Sequence, residues 1–339
     1  MDLDVLLPFH RVDKFLEEAI DSLAASRGVS LRVVLIDDRI DRTADIIQLV
    51  SRFKNFEVME TLGGQGYGEA LKVGSAALKS DHVALFNSDD LVHPNRLLMQ
   101  LKALKNSDVS ITNLGRIDKS GRSMKSITGK LLSRIYDQDF LIFGSYGANA
   151  TWCMRKNWWI ENSFFDRDEC LDWRIGLKRF SQAKIAYTGE ILYFYRKHKF
   201  QVTKNRHPEF QKMDIVYKSW ENYLQKYNIG KVERGTFDLI ATPWLSTKSV
   251  DIDKVHEFLM LLKHIFSEKP LEVQKQAQIL IYRRMLLGIR HQNISIAGKI
   301  KLFKGGYPDS LRLLNDVMPS FLQLPYLGLE SLDRIQVSS

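Results

Sequence analysis

The chain has 339 residues, of which 45% are hydrophobic and 26% charged, and its formal net charge is +9 at pH 7. This composition is typical of a globular protein and not of a disordered or fibrous one. The length predicts two domains, or one large domain with an appendage. The sequence has no apolar run of about 18 residues, which argues against a transmembrane helix, and its basic excess favours an anionic partner, whether a nucleotide, a phospholipid headgroup or nucleic acid.

The first part of the chain alternates short apolar strands with amphipathic helices. Strands are predicted at Leu3–Phe9, Leu31–Ile36, Phe56–Glu60 and His82–Phe86, and helices at Val12–Ala25, Thr43–Phe53, Glu69–Lys79 and Pro94–Lys105. Continuous apolar strands joined by helices are typical of parallel βαβ units in which helices cover both faces of the sheet. The sequence therefore predicts an α/β fold with a mixed, mostly parallel sheet flanked by helices.

Polar residues follow three of these strands, as His10-Arg11, Asp37-Asp38 and Asn87–Asp90. Sheets of this kind bind ligands at the carboxyl ends of their strands. The adjacent carboxylates of Asp89 and Asp90 suit Mg²⁺ or Mn²⁺, which prefer oxygen ligands and can neutralise a diphosphate leaving group. The alternative for Asp90 is to cap the helix that follows.

Two further segments point to a nucleotide. Asp37 and Asp38 can accept hydrogen bonds from a uracil or ribose edge, although a capped turn would also explain them. The loop Gly63–Gly68 matches neither the Walker A pattern nor GxGxxG, so a phosphate cradle and a plain flexible turn both stay open.

Strand signals continue to about residue 205 and then give way to helical ones. The predicted elements are a strand at Val109–Asn113, a polar loop over the site at Arg116–Lys130, a strand at Asn149–Met154, a helix at Cys170–Phe180, edge strands at Ile185–Tyr187 and Ile191–Arg196, and helices at Phe210–Tyr227, Val255–Phe266, Leu271–Leu287 and Ser310–Val317. This change of pattern predicts a catalytic domain at 1–208 and a mainly helical region at 209–339.

The order of these segments resembles the family 2 inverting glycosyltransferases with the GT-A fold, over about residues 3–205. The resemblance rests on Leu3–His10, Val33–Asp38 with Asp41–Thr43, Gly64–Gly74, Phe86–Asp90, Leu171–Arg174 and Tyr193–His198. It implies a Rossmann-like sheet and a divalent metal, Mn²⁺ or Mg²⁺. It also implies transfer from a nucleoside-diphosphate sugar, a UDP-sugar first of all, to a hydroxyl of a glycan or lipid-linked acceptor, in surface polysaccharide biosynthesis and without nucleic acid.

The resemblance also implies roles for individual residues. Asp172 is the expected catalytic base, although a helix N-terminus favours a carboxylate there in any case, and Asp168 and Glu169 are close rivals. The expected metal ligands are Asp89, Asp90 and His198. The expected donor-binding residues are Pro8, Phe9, His10, Asp37, Asp38, Gly66, Lys72, Asn87, Ser88, Asp89 and Arg196. For Arg196, bracing the loop is an equal alternative, and a structural role is the alternative for His198.

The sequence departs from the family pattern at three places. Arg39 follows Asp37-Asp38 where the family has glycine, Asn87 is the first residue of the metal motif, and Leu171 replaces a glutamate before the base. These departures motivate a second hypothesis, a non-catalytic sugar-nucleotide-binding or scaffold protein on a degenerate GT-A fold. A nucleotidyltransferase is a third, but it needs a glycine-rich signature at the first strand, which Pro8–Arg11 lacks.

The C-terminal region and the termini bear on location. Ile281–Leu287 and Lys299–Lys304 mix basic and apolar residues, as in segments that contact anionic membranes. A helical subdomain packed on the core, acceptor binding or homo-oligomerisation would also account for this region. The sequence has two cysteines and no signal peptide pattern at Met1–Asp4, which predicts a cytoplasmic protein, with peripheral contact at the inner membrane face as an extension.

Overall fold

The computed structural model of the protein describes residues 2–42, 46–124, 137–145, 147–163, 170–201, 210–242 and 250–291. Thr43, Asp168, Glu169, residues 125–130 of the predicted loop, Lys299–Lys304 and the predicted helix Ser310–Val317 lie outside these ranges. The chain forms two compact units, the first Met1–Leu141 with Ser145–Tyr223 and the second Ile142–Gly144 with Leu224–Ser339. The two units divide at Tyr223, whereas the composition changes near residue 208.

One sheet organises the first unit. Its described strands are β1 Asp2–Phe9, β2 Ser30–Asp37, β3 Phe56–Glu60, β4 His82–Leu85, β5 Leu91–Val92, β6 Val109–Ile117, β7 Ser123–Met124, β8 Trp152–Arg155 and β9 Ile185–Arg196. Their order is β3-β2-β1-β4-β8-β6-β9-β5, with β7 paired to β6. Strands β3, β2, β1 and β4 run parallel, and so do β6 and β9, while β8 is antiparallel to β4 and β6. The expected mixed, mostly parallel sheet is confirmed.

Helices connect and cover these strands. In the first unit they are α1 Lys14–Ala24, α2 Ile46–Val50, α3 Tyr67–Ala76, α4 Arg96–Ala103, α5 Lys156–Asn162, α6 Leu171–Arg179 and, for all but its last residue, α7 Phe210–Leu224. Helix α1 begins where the Asp13 carboxylate accepts the backbone N–H of Phe15 and Leu16, at 2.9 and 3.1 Å. Its apolar stripe, Leu16, Ala19, Ile20 and Leu23, is buried against the sheet, as the helical spacing predicted.

Three predicted strands differ in the structure. The segments predicted as separate edge strands at Ile185–Tyr187 and Ile191–Arg196 form the single strand β9, which pairs with β6 on one side and β5 on the other. A bulge around Gly189, whose φ is +74°, absorbs the intervening residues. The bulge leaves two carbonyls, which Thr112 Oγ1 and Asn113 Nδ2 satisfy at 2.7 and 2.9 Å. Asn149–Thr151 forms a 3₁₀ turn that leads into β8 instead of the start of a strand.

The described part of the second unit is helical, as predicted. Its described helices are α8 Arg234–Ile240, α9 Ile252–Ser267 and α10 Leu271–His291, and they pack on one another. Helix α9 buries a stripe made of Val255, Phe258, Leu259, Leu262 and Phe266. Within the described ranges, none of the helices combines the length and the apolar character that crossing a bilayer requires.

Candidate active site

The strand-end clusters meet at one edge of the sheet. Strand β1 lies between β2 and β4, and Phe9 at its end pairs with Asp37. His10 therefore lies between the two acidic clusters. Burial and Arg11 lower its pKa, while Asp89, Asp13 and Asp38 oppose that shift. Because the charges of both Asp38 and Asp89 act on this one imidazole, the clusters predicted from separate strands form a common site.

Asp37 is already engaged by a neighbour two residues along the chain. Its carboxylate accepts Arg39 Nε at 2.9 Å and Arg39 Nη2 at 2.7 Å, and both side chains are buried. The Arg39 guanidinium also lies 5.6 Å from the centre of the Phe9 ring. In the sequence Arg39 was only a departure from the family pattern. In the structure it is the ion-pair partner of Asp37 and lies beside Phe9 at the end of β1.

Replacing Arg39 by serine is expected to destabilise the fold by about 3–5 kcal/mol, because it leaves a buried carboxylate without its partner. Arg42, whose Nε lies 3.7 Å from Asp37 and whose side chain is 32% exposed, offers only a weaker substitute. Urea unfolding of Arg39→Ser measures the effect, with Arg42→Ser as the matched control that should cost less than about 1 kcal/mol. Equal effects of the two variants would contradict the central role given to Arg39.

Asp38 holds the glycine-rich loop. Its carboxylate accepts the Thr61 hydroxyl and the backbone N–H groups of Gln65 and Gly66, the latter two at 2.9 and 2.8 Å. Gly66 has a φ of +94°, a conformation open to glycine. At Gly63, whose φ is +87°, a Cβ would lie 2.7 Å from the Arg39 carbonyl oxygen. The loop is therefore a turn fixed on Asp38, and the Gly66 N–H is used inside the protein.

Three other predicted donor-binding residues lie on the same elements. Pro8 is buried in β1 opposite Ile36. Ser88 is half-buried in the turn after β4. Lys72 lies on α3, the helix that follows the glycine loop, and is 60% exposed. Its ammonium group pairs with Glu69 at 3.1 Å.

Asp90 anchors the turn after β4 from inside. It is fully buried, and its carboxylate accepts the Tyr193 hydroxyl at 2.6 Å, the Arg196 N–H at 2.8 Å and Asn87 Nδ2 at 3.1 Å. Burial, with help from the charge of Asp89, raises the pKa of Asp90 to about 7. The sequence missed Tyr193 as a contributor, since an aromatic residue in a strand is ordinarily core.

Asp89, by contrast, points to the surface and is 28% exposed. Its Oδ2 lies 2.9 Å from His198 Nε2, and the His198 ring packs 4.6 Å from the ring of Phe15. Because Asn87 donates its amide nitrogen to Asp90, its carbonyl oxygen is turned away from that bond. Asp89 and His198 thus lie together at the end of β4, in the same turn as Asn87, whose amide oxygen takes no part in the bond to Asp90.

Arg196 braces this turn. Its fully buried side chain donates to the Asp89 carbonyl at 2.8 Å, to the Lys119 carbonyl at 3.2 Å and to Glu18 at 2.7 Å. Three segments are joined in this way, and the guanidinium is used by the protein. The geometry favours bracing over direct contact with a diphosphate. Glu18 was not among the residues that the sequence suggested.

Asp172 lies in the first turn of α6, where Trp173 N–H donates to its carboxylate at 2.8 Å. The Asn149 backbone and the Ser145 side chain both act to lower the pKa of this carboxylate, and the Ser145 hydroxyl also donates to the Gly147 carbonyl at 2.8 Å. Asn149 belongs to the 3₁₀ turn before β8, which contacts β4 near its carboxyl end. The residue is half-buried, and desolvation of the carboxylate raises its pKa above the ordinary value.

Removing the Ser145 hydroxyl is expected to raise the pKa of Asp172 further, because the interaction of this side chain with the carboxylate lowers that pKa. A base must be ionised to work, so the acid limb of the pH–rate profile should move to higher pH in Ser145→Ala. Ser163→Ala, on a half-buried hydroxyl after α5, serves as the control. An unmoved acid limb in Ser145→Ala would show that another group sets it.

Within the described residues no group of three or more acidic, histidine or cysteine side chains converges as a metal cluster. The structure brings Asp38, Asp89, His10 and His198 to one edge and places Asp172 beside the neighbouring turn. It pairs Lys72 with Glu69 on α3 and gives Asp37, Asp90 and Arg196 protein partners.

Comparisons with known proteins bear on the family and the fold. Residues 4–167 match the model of "Glycosyl transferase family 2", a region that ends before Asp172. Glycosyltransferase GlyG of Streptococcus pneumoniae is 22% identical over 231 residues, 63% of this chain and 77% of that protein. The succinoglycan biosynthesis protein ExoO of Rhizobium meliloti is 27% identical over 120 residues, and the match spans 34% of each protein.

Solved structures give the fold. The crystal structure of S. aureus TarS 1–349 in complex with UDP-GlcNAc superposes with a TM-score of 0.54 at 17% identity, over 92% of both chains. The complex of the same protein with UDP gives 0.51 at 16% identity. Residues 4–167 of the chain are therefore similar to glycosyl transferase family 2, and the chain has a GT-A fold.

Proposed function

We propose that the protein is a metal-dependent inverting glycosyltransferase, which transfers a sugar from a nucleoside-diphosphate sugar to a hydroxyl of a glycan or lipid-linked acceptor. The single observation that carries the proposal is that two unlike carboxylates lie near the carboxyl end of β4 and the turn before β8. Asp89 is 28% exposed and lies 2.9 Å from His198, whereas desolvation raises the pKa of Asp172. Two carboxylates with different environments at one sheet edge suit two different tasks.

The residues present fit a divalent cation. Mg²⁺ and Mn²⁺ are commonly held by one or two carboxylates together with substrate phosphates, and Asp89, His198 and the Asn87 amide oxygen offer a donor set of that kind. Asp90, which is buried under the turn, would orient Asn87 by accepting a hydrogen bond from its amide nitrogen. When bound, such an ion would neutralise the charge of the diphosphate that leaves.

In the proposed reaction Asp172 accepts the proton of the acceptor hydroxyl as its oxygen bonds to the anomeric carbon. The bond from that carbon to the diphosphate oxygen breaks on the opposite face, which inverts the configuration. A carboxylate of raised pKa is a stronger proton acceptor and, above that pKa, still ionised. Trp173, buried beside Asp172, helps keep bulk water from the carboxylate.

Several observations support a UDP-sugar donor and a role in surface polysaccharide synthesis. One solved neighbour was crystallised with UDP-GlcNAc and UDP, and one relative is a succinoglycan biosynthesis protein. Phe9, Asp37 and Asp38 lie where the end of β1 meets β2, beside the glycine loop, and are the proposed base and ribose contacts. Cys153 and Cys170 are both free thiols, which supports a cytoplasmic site of action.

A thermal-shift screen of sugar nucleotides with and without Mn²⁺ tests the proposal. We expect UDP-sugars with Mn²⁺ to raise the melting temperature more than the nucleotide alone, and GDP- or dTDP-sugars to raise it less. Donor hydrolysis is then measured with the nucleotide that gives the largest shift. A protein that binds UDP-sugars without hydrolysing or transferring them would be the non-catalytic binding protein that Arg39 and Leu171 suggested.

A further inference from the structure

Five exposed cations border the candidate metal site. Arg11 follows β1, Arg116, Lys119 and Arg122 belong to the end of β6 and the turn to β7, and Lys199 follows β9. These five residues are called the basic rim below. The rim combines residues from three segments that are distant in sequence, so the sequence pattern did not predict it as one surface.

Direct contacts tie the three segments to one another and to Asp89. Lys197 N–H donates to the Ile117 carbonyl at 2.8 Å, which joins the ends of β6 and β9. Arg196, which donates to the Asp89 carbonyl, also donates to the carbonyl of Lys119. A Cβ on Gly121 would lie 4.0 Å from Arg196 Nη1 and from the Leu91 side chain. The turn between β6 and β7, which carries Lys119 and Arg122, therefore packs against the Asn87–Asp90 turn.

Phe200 links the remaining two cations. Arg11 Cζ lies 5.5 Å and Lys199 Nζ 4.7 Å from the centre of its ring, and the ring is half exposed. The Phe200 N–H donates to His198 Nδ1 at 3.3 Å. Arg11 and Lys199 thus stand beside the imidazole that pairs with Asp89.

The carboxylates nearby already have hydrogen-bond or ion-pair partners outside the rim side chains. Asp118 is held by its own turn, through Ser120 N–H and Oγ at 2.8 and 2.7 Å and Arg122 N–H at 3.0 Å. Glu18 pairs with Arg196 and Lys14, and Asp13 caps α1. Among the described residues no carboxylate lies within ion-pair distance of any member of the rim. Asp118 and Asp13 keep their charges, and that of Asp118 acts on Arg122. The five cations nevertheless outnumber these carboxylates, and the positive excess favours the binding of an anion.

The donor alone does not account for the rim. A single diphosphate would lie at Asp89, whereas the rim continues from Arg11 past Asp89 to Arg122 at the β6–β7 hairpin. A ligand with negative charges repeated along its length would contact the whole series. Arginine and lysine bind carboxylate and phosphate groups well, and an exposed aromatic ring such as that of Phe200 can pack against a sugar face.

We propose that the basic rim binds the acceptor and that the acceptor is an acidic polymer, a glycan that carries carboxylate or phosphate groups on its repeat. The inference rests on the proposed function, because it takes the sheet edge at Asp89 as the place of transfer. An anionic membrane is the weaker partner for this surface. Interfacial binding needs an apolar face as well as charge, and Phe200 is flanked by two cations.

Binding of defined polymers to the full chain tests this inference. The probes are polygalacturonate, its fully methyl-esterified neutral form, inorganic polyphosphate, and vesicles of phosphatidylglycerol. We expect polygalacturonate, polyphosphate or both to bind in a salt-dependent manner and the neutral ester to bind at least ten-fold more weakly. The better of the two anions identifies a carboxylate or a phosphate acceptor.

The double variant Arg116→Glu with Lys199→Glu is expected to lose at least ten-fold in affinity for the acidic polymer. Arg116→Gln with Lys199→Gln, a milder change, should lose less in the same direction and guards against misfolding. Lys105→Glu is the matched control, because Lys105 is exposed just before the opposite end of β6. Its affinity should equal that of the parent.

Three results would overturn the inference. They are equal binding of the neutral ester, an equal loss in Lys105→Glu, and binding to vesicles alone. The sugar-nucleotide screen on the parent protein tests the proposed function separately. If UDP-sugars fail to bind while acidic polymers bind at the rim, the donor assignment fails and the surface remains. If UDP-sugars bind and are turned over without any preference for acidic polymers, the surface assignment fails alone.

Discussion

Replacing Asp172 by asparagine is expected to lower the rate of sugar transfer about 10²–10⁴-fold, the usual contribution of a positioned general base. The fold should remain intact. A carboxylate whose folded pKa is raised contributes stability at low pH that is lost as pH rises through that pKa. The neutral amide removes this loss near neutral pH, so Asp172→Asn should melt at the same temperature as the parent or higher, while its turnover collapses.

Matched variants separate a base from a structural carboxylate. Glu161→Gln changes an exposed carboxylate on α5 and should transfer sugar at the parental rate. Asp168→Asn and Glu169→Gln test the two alternative candidates for the base, which shortly precede Asp172 in the chain. Assignment of the base to Asp172 is wrong if Asp172→Asn keeps parental kcat, and it passes to a rival if one of those variants alone shows the loss.

The second large effect concerns Asp89. Substitution by asparagine is expected to abolish the part of UDP binding that depends on Mn²⁺, because it removes the exposed carboxylate of the candidate metal site. For the parent, ligand at about 100 times Kd should stabilise the fold by about 2.7 kcal/mol. For Asp89→Asn we expect the difference between melts with and without Mn²⁺ to disappear, and EDTA to abolish transfer by the parent.

Asp81→Asn is the control for this experiment, since Asp81 is an exposed carboxylate just before β4, at the end opposite Asp89. Its Mn²⁺-dependent shift should match that of the parent. His198→Gln is expected to weaken the shift less than Asp89→Asn, because the amide oxygen can still serve as a ligand. A full Mn²⁺-dependent shift in Asp89→Asn would place the metal elsewhere and remove the basis for assigning this edge of the sheet to the diphosphate.

The sheet could be predicted from local pattern because its cause is local. Parallel strands covered on both faces need continuous apolar runs, so β1 and β2 were evident in the sequence. Strand β9 was predicted as two pieces because Gly189 breaks the run. The bulge that keeps it one strand depends on Thr112 and Asn113, whose side chains come from β6.

The sequence by itself determined the α/β class, the order of the polar clusters and their place at strand ends, because a carboxylate after an apolar strand must reach the same sheet edge as its neighbours. Tertiary structure decided what each carboxylate does. Asp90 is buried by Arg196, which lies 106 residues further along the chain, whereas Asp89 beside it remains exposed. Asp37 pairs with Arg39, which is only two residues away, but both side chains are buried because β1 and β2 pair there. The burial of these carboxylates therefore depends on contacts between distant segments, which no local pattern encodes.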